Sequence, residues 1–212
     1  MYKKMIITVF ILFGLLLICS PFLKGGIIVY LSKSQNESAL TVEQLKKNNE
    51  KEAAFEFDSI QPPDLMEAIK AGFDHDQKAI IGRITIKSVD LELPILKGTT
   101  NENLLIGAAT MRPDQKMGGG NYPLAGHHLK QKSLLFGPLE NIKTGAQIVI
   151  TDFKKDYIYS VTSKDIISEM DADVIEETNK KEITLITCDK AVNTEGRLVV
   201  KGELVDSFGH TS

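Results

Sequence analysis

From Ala79 to the C-terminus the chain repeats one pattern: short apolar or alternating runs, each closed by Gly, Pro, Asn or Asp. The runs are Ile80–Ile86, Val89–Ile95, Leu104–Thr110, Asn121–His127, Gln147–Thr151, Tyr157–Ser163, Ile183–Cys188 and Arg197–Val205. Segments this short, with little helical periodicity between them, bury an apolar face only by pairing edge to edge, so the pattern predicts an all-β barrel or sandwich. Ser133–Ile142 is the one stretch in this region that reads as an interposed helical turn, interrupted at Gly137-Pro138. Gly118-Gly119-Gly120 lacks the following Lys-Ser/Thr and the helix opening of a phosphate cradle, and reads as a tight loop.

Composition removes several function classes. Twenty-five Lys+Arg against 28 Asp+Glu give a net charge of −3, which does not supply the concentrated basic surface that nucleic acid requires. No Trp and 7% aromatic residues leave little for base stacking. Two cysteines are too few for a disulfide scaffold or a Cys-rich zinc site.

Ahead of the strand region lies a different kind of segment. Met5–Leu23 contains no charged residue and follows Lys3 and Lys4. Its length suits a helix across the hydrocarbon core, and the lysines place the N-terminus on the cytoplasmic side with the bulk of the chain outside. The exit sequence Cys19-Ser20-Pro21-Phe22 is a poor cleavage site, so the run is read as an uncleaved signal anchor within residues 1–31. Residues 32–72 follow as a polar linker with a helical turn around Thr41–Lys47 and a short helix over Leu65–Ile69, capped by Asp64. Residues 73–212 are the folded domain.

With Cys19 inside the anchor, Cys188 is the only thiol left outside the membrane, and it ends the strand Thr184–Cys188. A leftover exported cysteine is an intermolecular half-cystine or a free thiol. Four histidines are available. His75 and His210 read as solvated, whereas His127 and His128 close an apolar strand and, being adjacent, point to opposite faces. That geometry, without Cys or carboxylate at ligand spacing, argues against a metal. A thiol becomes an effective nucleophile when an imidazole takes its proton, and acyl transfer also needs a donor facing the developing oxyanion. Arg197 opens the strand after Cys188 and lies beside it if the two strands pair antiparallel. Taken by themselves, the three residues equally fit a buried Cys, a satisfied His and a surface Arg.

The run Thr184-Leu185-Ile186-Thr187-Cys188 resembles the TLxTC signature of sortases, and Ala125-Gly126-His127 resembles their catalytic-histidine motif. Arg197 follows at the family's arginine spacing. With the N-terminal anchor and the strand pattern, the resemblance covers essentially the whole chain and is closest to class A, the housekeeping sortases. It implies an eight-stranded sortase-type β-barrel with short helices behind a transmembrane helix. It further implies a cysteine transpeptidase that cleaves an LPXTG-type signal between Thr and Gly through a thioacyl intermediate. An amine of a peptidoglycan precursor, lipid II, then takes the acyl group, and the surface protein is joined to the wall. By motif, Cys188 is the nucleophile, His127 the general acid/base and Arg197 the oxyanion and substrate stabiliser, with His128 a bystander. Ala125 and Thr187 line the groove, and Val174 and Ile175 fall in the sorting-signal loop.

Some members of this family bind an activating calcium before the histidine strand. Here Met111–Gly120 offers one carboxylate among two cations, against calcium's need for several oxygen ligands, so calcium independence and no cofactor are expected. A pilin-polymerising sortase is the alternative within the family, although Gln61–Asp76 lacks an Asp-Pro-aromatic lid pattern. An anchored extracellular β-domain acting as a scaffold is the alternative outside enzymes.

Overall fold

The computed structural model describes residues 2–36, 40–56, 79–191 and 194–210, with backbone alone at 12–13, 15–24 and 34–36. Eight strands close into one barrel in the spatial order β1-β2-β3-β4-β7-β8-β6-β5. In chain order they are β1 (Ile80–Ile86), β2 (Leu91–Leu96), β3 (Ala108–Thr110), β4 (Asn121–Ala125), β5 (Gln147–Thr151), β6 (Lys155–Ser168), β7 (Glu182–Cys188) and β8 (Gly196–Gly209). Two pairings are parallel, β2 with β3 and β4 with β7; the others are antiparallel.

Alternation fills the interior as the sequence pattern requires. Ile84 and Ile86, Leu93 and Ile95, Tyr122 and Leu124, Ile148 and Ile150, Tyr159 and Val161, Ile183 and Leu185, and Leu198 and Val200 form one buried cluster. Each pair is two residues apart, so every strand sends the same face inward. On β4, β7 and β8 the intervening residues therefore point outward, and this outer face carries the site.

Three departures from the sequence reading have physical causes. Leu104–Ile106 belong to a short helix, α3 (Asn101–Ile106), because the Thr100 side chain accepts the Asn103 N–H and starts a helical turn, a standard N-cap. Only Ala108–Thr110 remain as strand. A 3-10 turn over Lys87–Val89, with Asp90 left-handed at φ 52°, delays β2 to Leu91. Strands β6 and β8 each run to 14 residues, well past the apolar runs, and pair as a ribbon from Lys155↔Gly209 to Ser168↔Gly196.

The N-terminal part forms α1 (Tyr2–Asn36) and α2 (Val42–Asn49). Among the described residues no helix is long and apolar enough to cross a membrane. Most of Met5–Leu23, Cys19 included, lies outside the described side chains, and the anchor expectation lies there with it. The C-terminal part of α1 packs on the barrel: Ile28 and Leu31 are 1% exposed and join the same cluster as Leu91 and Leu93. Residues 40–56, read as linker, also pack on it. Thr41 and Gln44 form a capping box for α2, Asn48 Nδ2 donates to the Ile80 carbonyl at 2.8 Å, and Glu56 N–H donates to Thr99 O at 2.8 Å. The predicted turn at Thr41–Lys47 is thus a docked helix. The helix expected over Leu65–Ile69, His75 and the lid segment fall within 57–78, outside the described residues.

Candidate active site

Two strand registers bring the three motif residues into one row. On β7 and β8, Cys188 lies directly opposite Arg197. Asp189 N–H donates to Gly196 O at 3.1 Å, so the next pair inward, Cys188 and Arg197, is a non-hydrogen-bonded pair, the kind whose side chains approach most closely. On β4 and β7, which run parallel, Ala125 lies opposite Ile186. The chain leaves β4 after Ala125, but His128 Nδ1 still lies 2.8 Å from Cys188 O, so His127, just before it, comes beside the end of β7. Gly126 N–H, which donates to Ile186 O at 3.1 Å, holds the chain in this register past the end of β4.

The turn after the histidines is built around glycine. A Cβ at Gly126 would lie 2.5–2.8 Å from ring carbons of Phe136, a fully buried side chain. Only glycine lets that ring approach. Phe136 N–H in turn donates to His127 O at 3.1 Å. The glycine between Ala125 and His127 is therefore a packing requirement that fixes where the imidazole projects.

Electrostatics at the thiol oppose one another. Burial pushes the Cys188 thiol above its ordinary value; Arg197 pulls it down, and Asp189 and Glu169 push it up again. A thiol held up in this way gains as a nucleophile when a neighbouring base takes its proton. His127, 8% exposed, is the imidazole that the motif names beside it. The Arg197 guanidinium donates from Nη2 to Glu169 at 2.6 Å, and from Nη1 to Thr194 O at 3.2 Å and Gly196 O at 3.1 Å. These three bonds leave part of its five-donor fork for a substrate oxygen. Glu169 was not anticipated. It follows the end of β6 and comes beside Arg197 only through the long β6–β8 pairing.

On the same outer face the 3-10 turn Ala172–Ile175 packs against β4. Val174 and Ile175 are half-buried there. Their loop is pinned by two residues the sequence reading passed over. Asn121, fully buried, donates from Nδ2 to Val174 O and Glu176 O, both at 3.0 Å, and accepts from Thr184 Oγ1 at 2.8 Å. Arg112 donates to Ile175 O at 3.3 Å and holds both Asp114, at 2.9 Å, and Glu177, at 2.5 Å. A buried Asn inside an apolar strand run was the available signal for the first; a loop Arg carries none. Ala125 is half-buried on the outer face, whereas Thr187 is 3% exposed and alternates with Cys188 toward the interior. Thr187 therefore lies behind Cys188, on the interior side of β7.

Among the described residues no group of three or more His, Cys, Asp or Glu could hold a metal ion. His210 pairs with Asp156 at 2.7 Å, far along the ribbon from Cys188, and is not the solvated histidine expected.

Comparison with known proteins agrees with this geometry. Residues 84–205 match the model of the Sortase domain family. The chain is 47% identical to Sortase A of Listeria monocytogenes over 204 residues, covering 96% of this chain and 92% of that one. A sortase-named chain of Bacillus subtilis (strain 168), YwpE, is 94% identical over 102 residues, 48% of this chain and all of that one. A crystal structure of Listeria monocytogenes sortase A superposes with a TM-score of 0.62 at 49% identity, covering 63% of this chain and 92% of that one. A closed eight-stranded barrel, a thiol on the last turn of β7 and these relatives lead to one assignment: the chain belongs to the sortase family and is a cysteine transpeptidase.

Proposed function

We propose that this transpeptidase is a membrane-anchored, housekeeping-type sortase. It cleaves an LPXTG-type signal on exported surface proteins between Thr and Gly and passes the threonyl group to an amine of lipid II. The observation that carries this reading is Cys188 paired with Arg197 across β7 and β8, with His127 just past the end of the neighbouring β4. In it, His127 accepts the Cys188 proton as the sulfur attacks the threonine carbonyl. Arg197 stabilises the oxyanion with its remaining N–H groups. His127 then gives the proton to the departing glycine amine as the C–N bond breaks, leaving a thioester on Cys188. The acceptor amine attacks that thioester and loses a proton to His127, the C–S bond breaks, and the departing sulfur takes that proton back from His127, which restores the thiol and closes the cycle. Acyl transfer through a thioester conserves enough reactivity to form a new amide without an energy source.

Ala125, Val174 and Ile175 supply apolar surface beside the row for the leucine and proline of the signal. The apolar run Met5–Leu23, inserted as a single span with the N-terminus cytoplasmic, would place the barrel outside the cell beside substrates that are themselves membrane-held. Confinement of this kind raises effective concentration without new contacts. No calcium is needed in this reading, because the Arg112 guanidinium already engages both Asp114 and Glu177.

The test is transpeptidation by the purified chain with an LPETG-containing peptide and triglycine, read by mass spectrometry. Cleavage between Thr and Gly with triglycine joined to threonine, lost in Cys188→Ala, supports the reading. Absence of any product across a panel of sorting signals and amines would sink it.

A further inference from the structure

His128, adjacent to the general base, enters neither the row nor the mechanism above, yet it is 6% exposed and its Nδ1 lies 2.8 Å from the carbonyl oxygen of Cys188. We infer that His128 is a positioning residue, whose imidazole replaces the missing last rung of the β4–β7 ladder and thereby fixes the backbone of the nucleophile.

In the parallel β4–β7 ladder Gly126 N–H donates to Ile186 O. The next rung, two residues on along both strands, would run from the N–H of residue 128 to Cys188 O. The chain has already left β4, whose last residue is Ala125. Residue 128 instead forms an antiparallel bridge with Leu135. The acceptor left over is the final carbonyl of β7, on the residue that must present the thiol. The side chain of His128 reaches it. A carbonyl oxygen only accepts, so Nδ1 carries the hydrogen, and a neutral His128 is the Nδ1–H tautomer.

The consequence follows from covalent geometry. The Cys188 carbonyl shares its Cα with Cβ–Sγ, so holding that oxygen holds ψ of Cys188 and the direction of the sulfur toward His127. The two histidines thus divide the work by strand alternation: His127 faces the thiol, and His128, from the other face, holds the peptide group behind it. Holding the reacting atoms in an attack geometry is worth orders of magnitude in rate, and here it would be lost without any change in substrate contacts.

This inference rests on the proposed sortase reaction, and its test separates the two. Wild-type full-length enzyme in detergent is compared with His128→Ala, His128→Asn and His128→Gln for peptide cleavage and transfer. An Asn Nδ2 reaches the position of His Nδ1, whereas the longer Gln amide does not. The expected result is kcat lower by about 10- to 100-fold in His128→Ala with KM within about twofold. His128→Asn recovers kcat to within about threefold, and His128→Gln recovers little. Long-range 15N–1H correlation spectra of the wild type above pH 8 are expected to show an Nδ1–H tautomer that disappears in His128→Asn. A kcat within twofold of wild type for His128→Ala, equal losses in the Ala and Asn variants, or an Nε2–H tautomer would each overturn the inference. If the wild type itself turned nothing over, the proposed reaction would fail, while the tautomer would still decide the hydrogen bond.

Discussion

Replacing Glu169 by Gln probes the electrostatics of the nucleophile without touching the row itself. Glu169 bonds to Arg197 at 2.6 Å, with the two side chains 41% and 27% exposed. A pair this exposed contributes at most about 1 kcal/mol to stability, so the variant should fold. Its effect on Cys188 is calculable in order of magnitude. A partly exposed charge acting on the sulfur from beyond Arg197 couples to it by at most about 1 kcal/mol, and by less at physiological salt. Glu169 pushes the thiol upward, so its neutralisation should lower the thiol pKa and move the alkylation midpoint to lower pH by a fraction of a pH unit. Arg197→Gln removes a group that pulls the thiol down and should raise the pKa by a larger amount, since Arg197 acts on the thiol more strongly than Glu169 does. The assay is alkylation by iodoacetamide against pH, read peptide by peptide so that Cys19 does not contribute. The midpoint is the proper readout, because a lower pKa also weakens the thiolate as a nucleophile and a fixed-pH rate changes less than twofold. If both variants moved the midpoint in the same direction, or Glu169→Gln raised it, the electrostatic account of the site would be wrong.

Further outcomes follow from the loop, the core and the carboxylates held by Arg112. Asn121→Ala leaves the Val174 and Glu176 carbonyls and the Thr184 hydroxyl without their partner, which should cost about 2–4 kcal/mol in denaturant unfolding and raise KM for the sorting peptide more than it lowers kcat. Tyr159 is buried and its phenol is pushed up to about 12, chiefly by burial. Its stabilising contribution is complete below the unfolded value near 10 and fades as pH rises through 12, a loss of roughly 2–3 kcal/mol. Urea midpoints should therefore hold at pH 9 and fall between pH 10 and 12, with less fall in Tyr159→Phe. Transpeptidation rates should agree within about 1.5-fold in millimolar calcium and in EGTA, as expected where a guanidinium already occupies the carboxylates; a strong calcium requirement would contradict the role given to Arg112.

The barrel was legible because its interior is apolar and strand alternation has a fixed period, so Ile183 and Leu185 or Tyr122 and Leu124 announce an inward face on their own. The helix Asn101–Ile106 was misread because Leu-Leu-Ile carries no periodicity at that length; the Thr100 cap three residues before Asn103 was the overlooked signal. The polar ends of β6 and β8 bury nothing, so hydrophobicity could not reveal a ribbon held by backbone pairing. Cys188, His127 and Arg197 could be named from their motifs, but their row depends on two registers, one of them parallel, that sequence does not encode locally. Glu169 and His128 become visible only once those registers are known. The first reaches Arg197 across the ribbon, and the second reaches the Cys188 carbonyl across the end of a ladder.

The most direct test of the central claim is to capture the covalent intermediate. Enzyme mixed with an LPETG-containing peptide in the absence of amine is quenched in acid within seconds, digested and mapped by mass spectrometry. A thioester-linked acyl group ending in threonine on Cys188, absent from Cys188→Ala, accumulating less in His127→Ala and discharged by added triglycine, is the predicted result. Peptide cleavage that proceeds with Cys188 unmodified throughout, or an acyl group carried by another residue, would contradict the account.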